Sequence, residues 1–357
     1  MSTMLLIGTR KGLFLLRGDE SRRRWEVQEP VLKGWELFHA TADPRSGALY
    51  AAANNFVYGG TVQRSNDLGK TWERSEHLAM PEGKDPLKRM WHVEPGHPSQ
   101  PDTLWAGGDP YALFRSDDGG VMWESNRGLL EHPTRDRWQP GFGGPCLHSI
   151  QIDPNDPQRL YIAISAAGAF RTDDGGETCS PINKDVAADF MEDDPYPEVG
   201  QCVHKLLAHP ARPDRLWQQN HCGVYRSDDR GESWERLEGN GLPSGFGFPI
   251  ALDPNDPDVA YVVPEEGGES RVTSNGRLGV YRTADGGASW ELHADGLPDP
   301  AWTAVKREGM AFDDGGVYLG TQSGSVFALA TDDGGWVEAA AQLPEILSVE
   351  AAEWPSS

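Results

Sequence analysis

Short apolar runs separated by Asp-Pro-type turns recur along the chain, as in Ser149-Ile150-Gln151-Ile152-Asp153-Pro154-Asn155-Asp156-Pro157 before Leu160-Tyr161-Ile162-Ala163. The same arrangement returns at 250–263, 205–217 and 92–105 and, shortened, at 39–50. Apolar runs of strand length bounded by turn residues predict paired strands. A second pattern follows each pair, Ser/Thr-x-Asp-x-Gly-x-(Ser/Thr)-Trp. Its copies run from Ser65 to Trp72, Ser116 to Trp123, Thr172 to Cys179, Ser227 to Trp234 and Thr283 to Trp290, with eighth positions 51, 56, 55 and 56 residues apart. A period of that size marks a repeat architecture. Asp and Ser/Thr side chains bond the backbone a few residues on, Gly supplies the positive φ of a tight hairpin, and Trp buries a flat face between neighbouring sheets.

These copies resemble the Asp-box, or bacterial neuraminidase (BNR), repeat of sialidases, sortilin-like receptors and xyloglucanases. There the box joins the third and fourth strands of a propeller blade. The resemblance and the count of units together predict an all-β, seven-bladed β-propeller forming a single domain over 1–357. Blades are expected at about 35–74, 90–125, 146–180, 202–237, 246–292 and 301–340, the last with a broken box at 331–336. The remaining blade combines 4–27 with the closing segment 345–350, so that the terminal segments close one blade and leave no open sheet edge. Over nearly its full length the chain also resembles bacterial proteins labelled exo-sialidase or glycosyl hydrolase. The segments that carry this likeness are Trp91 to Pro98, Cys146 to Ile150 and Gln218 to Ser227.

Composition refines the picture in three ways. The 42 Gly and 27 Pro are accounted for by the turns of such blades rather than by disorder. A formal charge of -23 repels nucleic acid and anionic membrane surfaces, so neither is an expected partner. The opening Met-Ser-Thr-Met-Leu-Leu-Ile-Gly-Thr-Arg-Lys reads as a strand rather than a signal peptide, no later run is long enough to span a bilayer, and four cysteines fit a reducing compartment; a cytoplasmic protein is expected.

Candidate chemistry gathers on one rim. The long irregular segments 75–89, 126–145, 181–201 and 264–279 all fall on the rim opposite the boxes, where insertions build binding faces. Counting back 13 residues from the aromatic of the second strand gives His92, His148 and His204 at one repeat position, with Phe248 in the next unit. His39 lies close to the matching point, Glu308 is its counterpart near the end of the chain, and His221 in the hairpin 219–223 faces the same opening. Three readings remain open: inherited structural histidines, a divalent metal centre of unassigned identity, and metal-free acid-base groups. Trp35, Trp91, Trp138 and Trp302 lie in or beside the same connections, where they would stack on sugar rings or hold loops. Asp109, Glu131, Asp136, Glu198, Glu265 and Glu266 supply carboxylates there.

The reading that results is a hydrolase or lyase of a small polar or carbohydrate-like substrate, with no organic cofactor. His148, His204, His221 and Glu308 are its catalytic candidates. His39, Arg10, Asn55, Asp109, Trp138, Asn220 and Glu265 are the ligand contacts, and His92, His148 and His204 the metal ligands. The alternatives are a noncatalytic carbohydrate- or protein-binding propeller and a sialidase-like glycosyl hydrolase. Sialidases carry an Arg-Ile-Pro motif and an arginine clamp; the chain has no Arg-Ile-Pro, although Arg10, Arg271 and Arg307 could reach the rim.

Overall fold

A computed structural model describes residues 2–331 and 334–354. The expected broken box at 331–336 therefore has Asp332 and Asp333 outside the described residues. The strands form antiparallel sheets of four in consecutive order. One runs Arg89–Pro95, Leu104–Asp109, Ala112–Ser116 and Glu124–Ser125, and the next Leu147–Ile152, Leu160–Ile164, Gly168–Thr172 and Ser180–Pro181. Another runs Gly247–Leu252, Ala260–Pro264, Val280–Thr283 and Glu291–His293. Two further four-stranded sheets begin at Glu36–Ala42 and Val203–His209. An eight-stranded sheet joins the strands from Val305–Asp313 to Val337–Ala340 with Ile346–Glu353, Thr3–Thr9, Gly12–Gly18 and Trp25–Val27. Within it Ile346–Glu353 pairs antiparallel with Thr3–Thr9 and meets Val305–Asp313 at a single parallel bridge, Glu308 to Ser348. Among the described residues no helix is long and apolar enough to cross a membrane.

The chain packs as two compact units. One comprises the described residues of Met1–Ala40, Gln219–Val224 and Arg236–Ser357, the other Thr41–Gln218 and Tyr225–Glu235. In the first, Tyr261, Val263 and Val280 pack on Val317, Leu319 and Phe327 of the following sheet. In the second, Trp105 and Leu113 pack likewise on Ile150, Ile162 and Phe170. In both pairs a sheet buries one face against its sequence neighbour, which strands apolar on both sides require.

The boxes explain why the turns form where they do. Ser65 donates its hydroxyl to Asp67 at 2.9 Å and accepts the Gly69 N–H at 2.8 Å, while Asp67 accepts the Thr71 N–H at 2.8 Å and its hydroxyl at 2.6 Å. Asp174, Asp229 and Asp285 repeat this set; at Asp118 the place of the hydroxyl is taken by Met122, whose N–H alone is bound. The glycine at the fifth position has φ between 81° and 95° in all five copies, a region that only glycine enters freely. Trp72 and Trp123 donate their indole N–H groups to the carbonyls of Gly69 and Gly120 in their own boxes, both at 3.0 Å, and the later tryptophans reach further. Trp234 and Trp290 donate their indole N–H groups to the carbonyls of Ile182 and Leu237 in the preceding sheets, at 2.7 and 3.1 Å, and Trp336 does the same to His293 at 3.1 Å.

Cys179 stands where the other boxes have Trp. There the helix Arg127–Leu130 and the segment after it fill the gap. Gly128 N–H donates to the Gly176 carbonyl at 3.2 Å, His132 bonds the Cys179 carbonyl at 3.1 Å, and Trp138 packs on His132 and Phe170 with centroids 5.5 and 5.1 Å away.

Candidate functional site

The first unit holds a group of ionisable side chains around the segment that follows Ala260–Pro264. Glu265 donates its backbone N–H to the Phe246 carbonyl at 2.8 Å and bridges to Thr273, which draws its side chain inward. The residue is 0% exposed, and no side chain hydrogen-bonds its carboxylate. Burial disfavours the charged form and lifts this carboxyl from the ordinary 4.5 to about 7; Lys306, Arg271 and the Val305 N–H oppose the shift without cancelling it.

The neighbours are arranged to complement a neutral acid. His221 lies half-buried at the tip of the hairpin after Asn220, its ring edge-on to Phe246 at 5.1 Å. Burial, then the charge of Arg271, holds this imidazole below its usual range, so it is neutral near pH 7. Arg271 sits in the left-handed region at φ 48°, donates Nε to the Gly268 carbonyl at 2.9 Å and covers Phe248 at 5.6 Å. Gly268 packs so closely on His221 that a Cβ there would lie 2.7 Å from the ring. Asn220 shapes the hairpin by accepting the Cys222 N–H at 3.1 Å, and Gln219 ties it to the Gly245 carbonyl at 2.8 Å.

Behind them runs an ion network. Arg10 bonds Glu345 at 2.7 Å and Glu36 at 3.0 Å, and Lys306 lies 3.4 Å from the other Glu345 oxygen. Burial pushes Lys306 down while Glu345 pulls it back up. Lys306 and Glu345 were not expected from the sequence at all. The available signal was a lysine directly beside the apolar pair Ala304-Val305, where a solvated residue has no reason to be.

The expected histidines divide between the two units. In the first unit the ligating atoms of His39 and Glu308, both buried, lie within 4.8 Å, and His39 Nε2 is 4.0 Å from Glu350. In the second, His92 Nε2 faces Glu94 at 3.2 Å, and His204 has a ring nitrogen within 4.8 Å of the Cys202 sulfur. His148 has both ring nitrogens hydrogen-bonded, Nε2 to the Val203 carbonyl at 3.0 Å and Nδ1 to the Ser149 hydroxyl at 3.1 Å.

Three other expected contacts fall elsewhere in the second unit. Trp138 is enclosed, its indole N–H bonded to Thr134 at 2.9 Å, so it plugs the core beside Cys179 instead of presenting a face to a ligand. Asn55 accepts the Val57 N–H at 2.8 Å and shapes a turn. Asp109 is 5% exposed with Oδ1 unbonded, and burial raises its carboxyl against the pull of Lys88 and Arg89.

No protein-family model matches the chain. It is 27% identical over 176 residues to Xyloglucanase Xgh74A of Acetivibrio thermocellus, covering 45% of this chain and 19% of that protein. To Vacuolar protein sorting/targeting protein 10 of Emericella nidulans it is 26% identical over 198 residues, 53% of this chain and 13% of that one. The chain thus spans about a fifth or less of the length of these curated relatives. The GH74 enzyme of Niastella koreensis has a similar structure, with a TM-score of 0.65, 17% identity, and coverage of 94% of this chain and 51% of that one. YCF48 bound to D1 peptide gives 0.56, 14%, 92% and 88%. At such identity the likeness is one of fold: an all-β chain of four-stranded sheets, consistent with a β-propeller.

Proposed function

We propose that the chain is a seven-bladed, hydrolase-like propeller acting on a carbohydrate, with Glu265 as the general acid, His221 as the general base and Arg271 holding both in register. Counting the eight-stranded sheet as two blades joined at the Glu308–Ser348 bridge supplies the number seven. The single observation that carries the reading is Glu265, a buried carboxyl with no side-chain hydrogen bond, whose environment keeps it protonated up to about pH 7. Glycosidic cleavage needs a proton delivered to the leaving oxygen and a base that activates water, and a site that sets two titratable groups apart in this way suits both tasks. The acid holds its proton because it is buried; the imidazole offers a lone pair because burial and Arg271 keep it neutral. The similarity to a xyloglucanase supports a carbohydrate as the substrate class.

The test is hydrolysis of xyloglucan oligosaccharides and aryl β-glycosides by the purified chain. Glu265→Gln should lower kcat by roughly 100-fold or more, the scale of lost general acid catalysis, with KM little changed. Absence of turnover by the wild-type chain, or full activity in Glu265→Gln, overturns the proposal.

A second reading rests on His39 and Glu308, whose ligating atoms lie close enough to share one divalent ion, with Glu350 beside them. Such an ion would supply Lewis acidity to the substrate. Elemental analysis beside Glu308→Gln decides it: about one equivalent of metal that falls in the variant supports the reading, and metal-free protein after reconstitution removes it.

A further inference from the structure

The segment that carries Glu265 has a second side, and there the chain forms a cavity of about 330 Å³. Ser274, Asn275, Arg277, Tyr281, Leu292 and Asp299 line it. This size stands at the low end of small-molecule sites, which span ~300–1,000 Å³. We propose that the cavity is a saccharide-binding site distinct from the Glu265 group, seating one pyranose ring of an oligosaccharide.

Three observations point to this chemistry. The Ser274 hydroxyl has no hydrogen-bond partner and is covered in the empty cavity, so a guest gains a hydrogen bond there once the side chain turns toward it. Beside the lining residues, Trp302 is 66% exposed, with its ring laid so closely on Gly276 that a Cβ there would come within 2.5 Å. Its backbone is pinned by the Ala301 N–H on the Gly276 carbonyl at 2.7 Å and by the Thr273 N–H on the Thr303 carbonyl at 3.0 Å. A large aromatic fixed in water presents a flat apolar face, and beside a cavity with polar walls it matches the C–H face of a sugar ring. Arg277 and Asp299 approach to 3.7 Å with both side chains about half exposed or more. Their charges cancel, so the wall offers donors and acceptors without surplus charge. This favours a neutral polyol over a phosphate or carboxylate, which would need an uncompensated cation. The exposed Asn275, held at φ 56°, adds an amide to the same wall.

The experiment is a calorimetric titration of xyloglucan heptasaccharide into the wild-type chain and into Glu265→Gln, where turnover cannot obscure binding. Saturable binding that weakens at least tenfold in Trp302→Ala and several-fold in Ser274→Ala and Asn275→Ala, but persists in His221→Ala, supports the site. Affinity unchanged by Trp302→Ala, affinity lost only in His221→Ala, or no binding at all overturns it. Should Trp302→Ala not fold, the indole N–H resonance of Trp302, assigned with Trp302→Phe, serves in its place: a shift on addition of the sugar supports the proposal and its constancy at saturation refutes it. Turnover is read separately, so hydrolysis without cavity binding sinks this inference alone, and cavity binding without hydrolysis sinks only the reading of Glu265.

Discussion

The Asp boxes and the Glu265 segment show the same functional group treated in opposite ways. In the boxes every carboxylate is fully engaged: hydrogen bonds from Thr71 hold Asp67 at about 2, and those from Ser289 hold Asp285 at about 2. Asp174 and Asp229 are likewise kept below the usual range, the bonds outweighing the desolvation that opposes them. Glu265 is buried further, no side chain bonds its carboxylate, and it rises to about 7. A carboxylate that shapes a box turn has its oxygens filled by the hydroxyls and N–H groups of that turn; the Glu265 carboxyl has no such set. The contrast separates two environments in a molecule whose acidic residues are too many for charge alone to do so.

The largest expected effect is on turnover. If Glu265 is the acid, activity on an aryl glycoside declines as pH rises through about 7, and Glu265→Gln removes both the activity and that limb of the profile. A pH profile that is flat from 6 to 8 in the wild type would break the comparison at its functional end.

Next comes stability. The folded carboxyl titrates above its unfolded value of 4.5, so its contribution is full below about pH 4.5 and is lost as pH rises to about 7. Glu265→Gln should therefore match the wild type at pH 4 and exceed it by on the order of 3 kcal/mol at pH 8, measured by urea denaturation. The boxes run the other way. Their depressed carboxyls stabilise above the ordinary 3.8 and lose that contribution as pH falls toward about 2, so acid unfolding should begin below pH 4 in both proteins.

A smaller effect is expected from Ser227→Ala, which deletes the hydroxyl that donates to Asp229 at 2.7 Å and accepts the Gly231 N–H at 2.8 Å. The cost should be about 1–2 kcal/mol and equal at pH 5 and pH 8, since Asp229, held below the usual carboxylate range, is ionised at both. The smallest is from Lys306→Met, which removes the foremost charge opposing the Glu265 shift; the alkaline limb of activity should move upward by less than one pH unit. Movement in the other direction would place Lys306 in a different role.

How much of this is legible in sequence follows from the range of the interactions. A box is written within eight residues, so its turn, its glycine and its tryptophan can be read directly, as can the strand pairs before it. Glu265 is visible as a carboxylate in the insertion 264–279, but its burial depends on Phe246, Thr273 and Lys306, distant in sequence, and no local pattern encodes that. The histidines show the same limit. His92 and His148 share a repeat position, yet one meets the carboxylate two residues on and the other a carbonyl 55 residues away. Periodicity fixes where a side chain starts and leaves its partners to the neighbouring sheet. Trp138, a candidate ligand contact by its place in the insertion 126–145, shows a related limit, since it is buried. The clue lay in Cys179, the one small residue among the eighth positions, whose deficit of volume has to be filled from elsewhere.

That substitution has a consequence for motion. The helix Arg127–Leu130 and the residues after it are anchored on the Cys179 turn by Asn126, Gly128 and His132, while the Trp138 indole packs on Phe170. This segment is therefore held by backbone carbonyls of a turn in another sheet. Restoring a tryptophan at 179 would compete for the space that Trp138 holds, and the displaced segment would exchange its amide hydrogens with solvent while the sheets beneath stayed protected. A gap in the repeat works here as a latch.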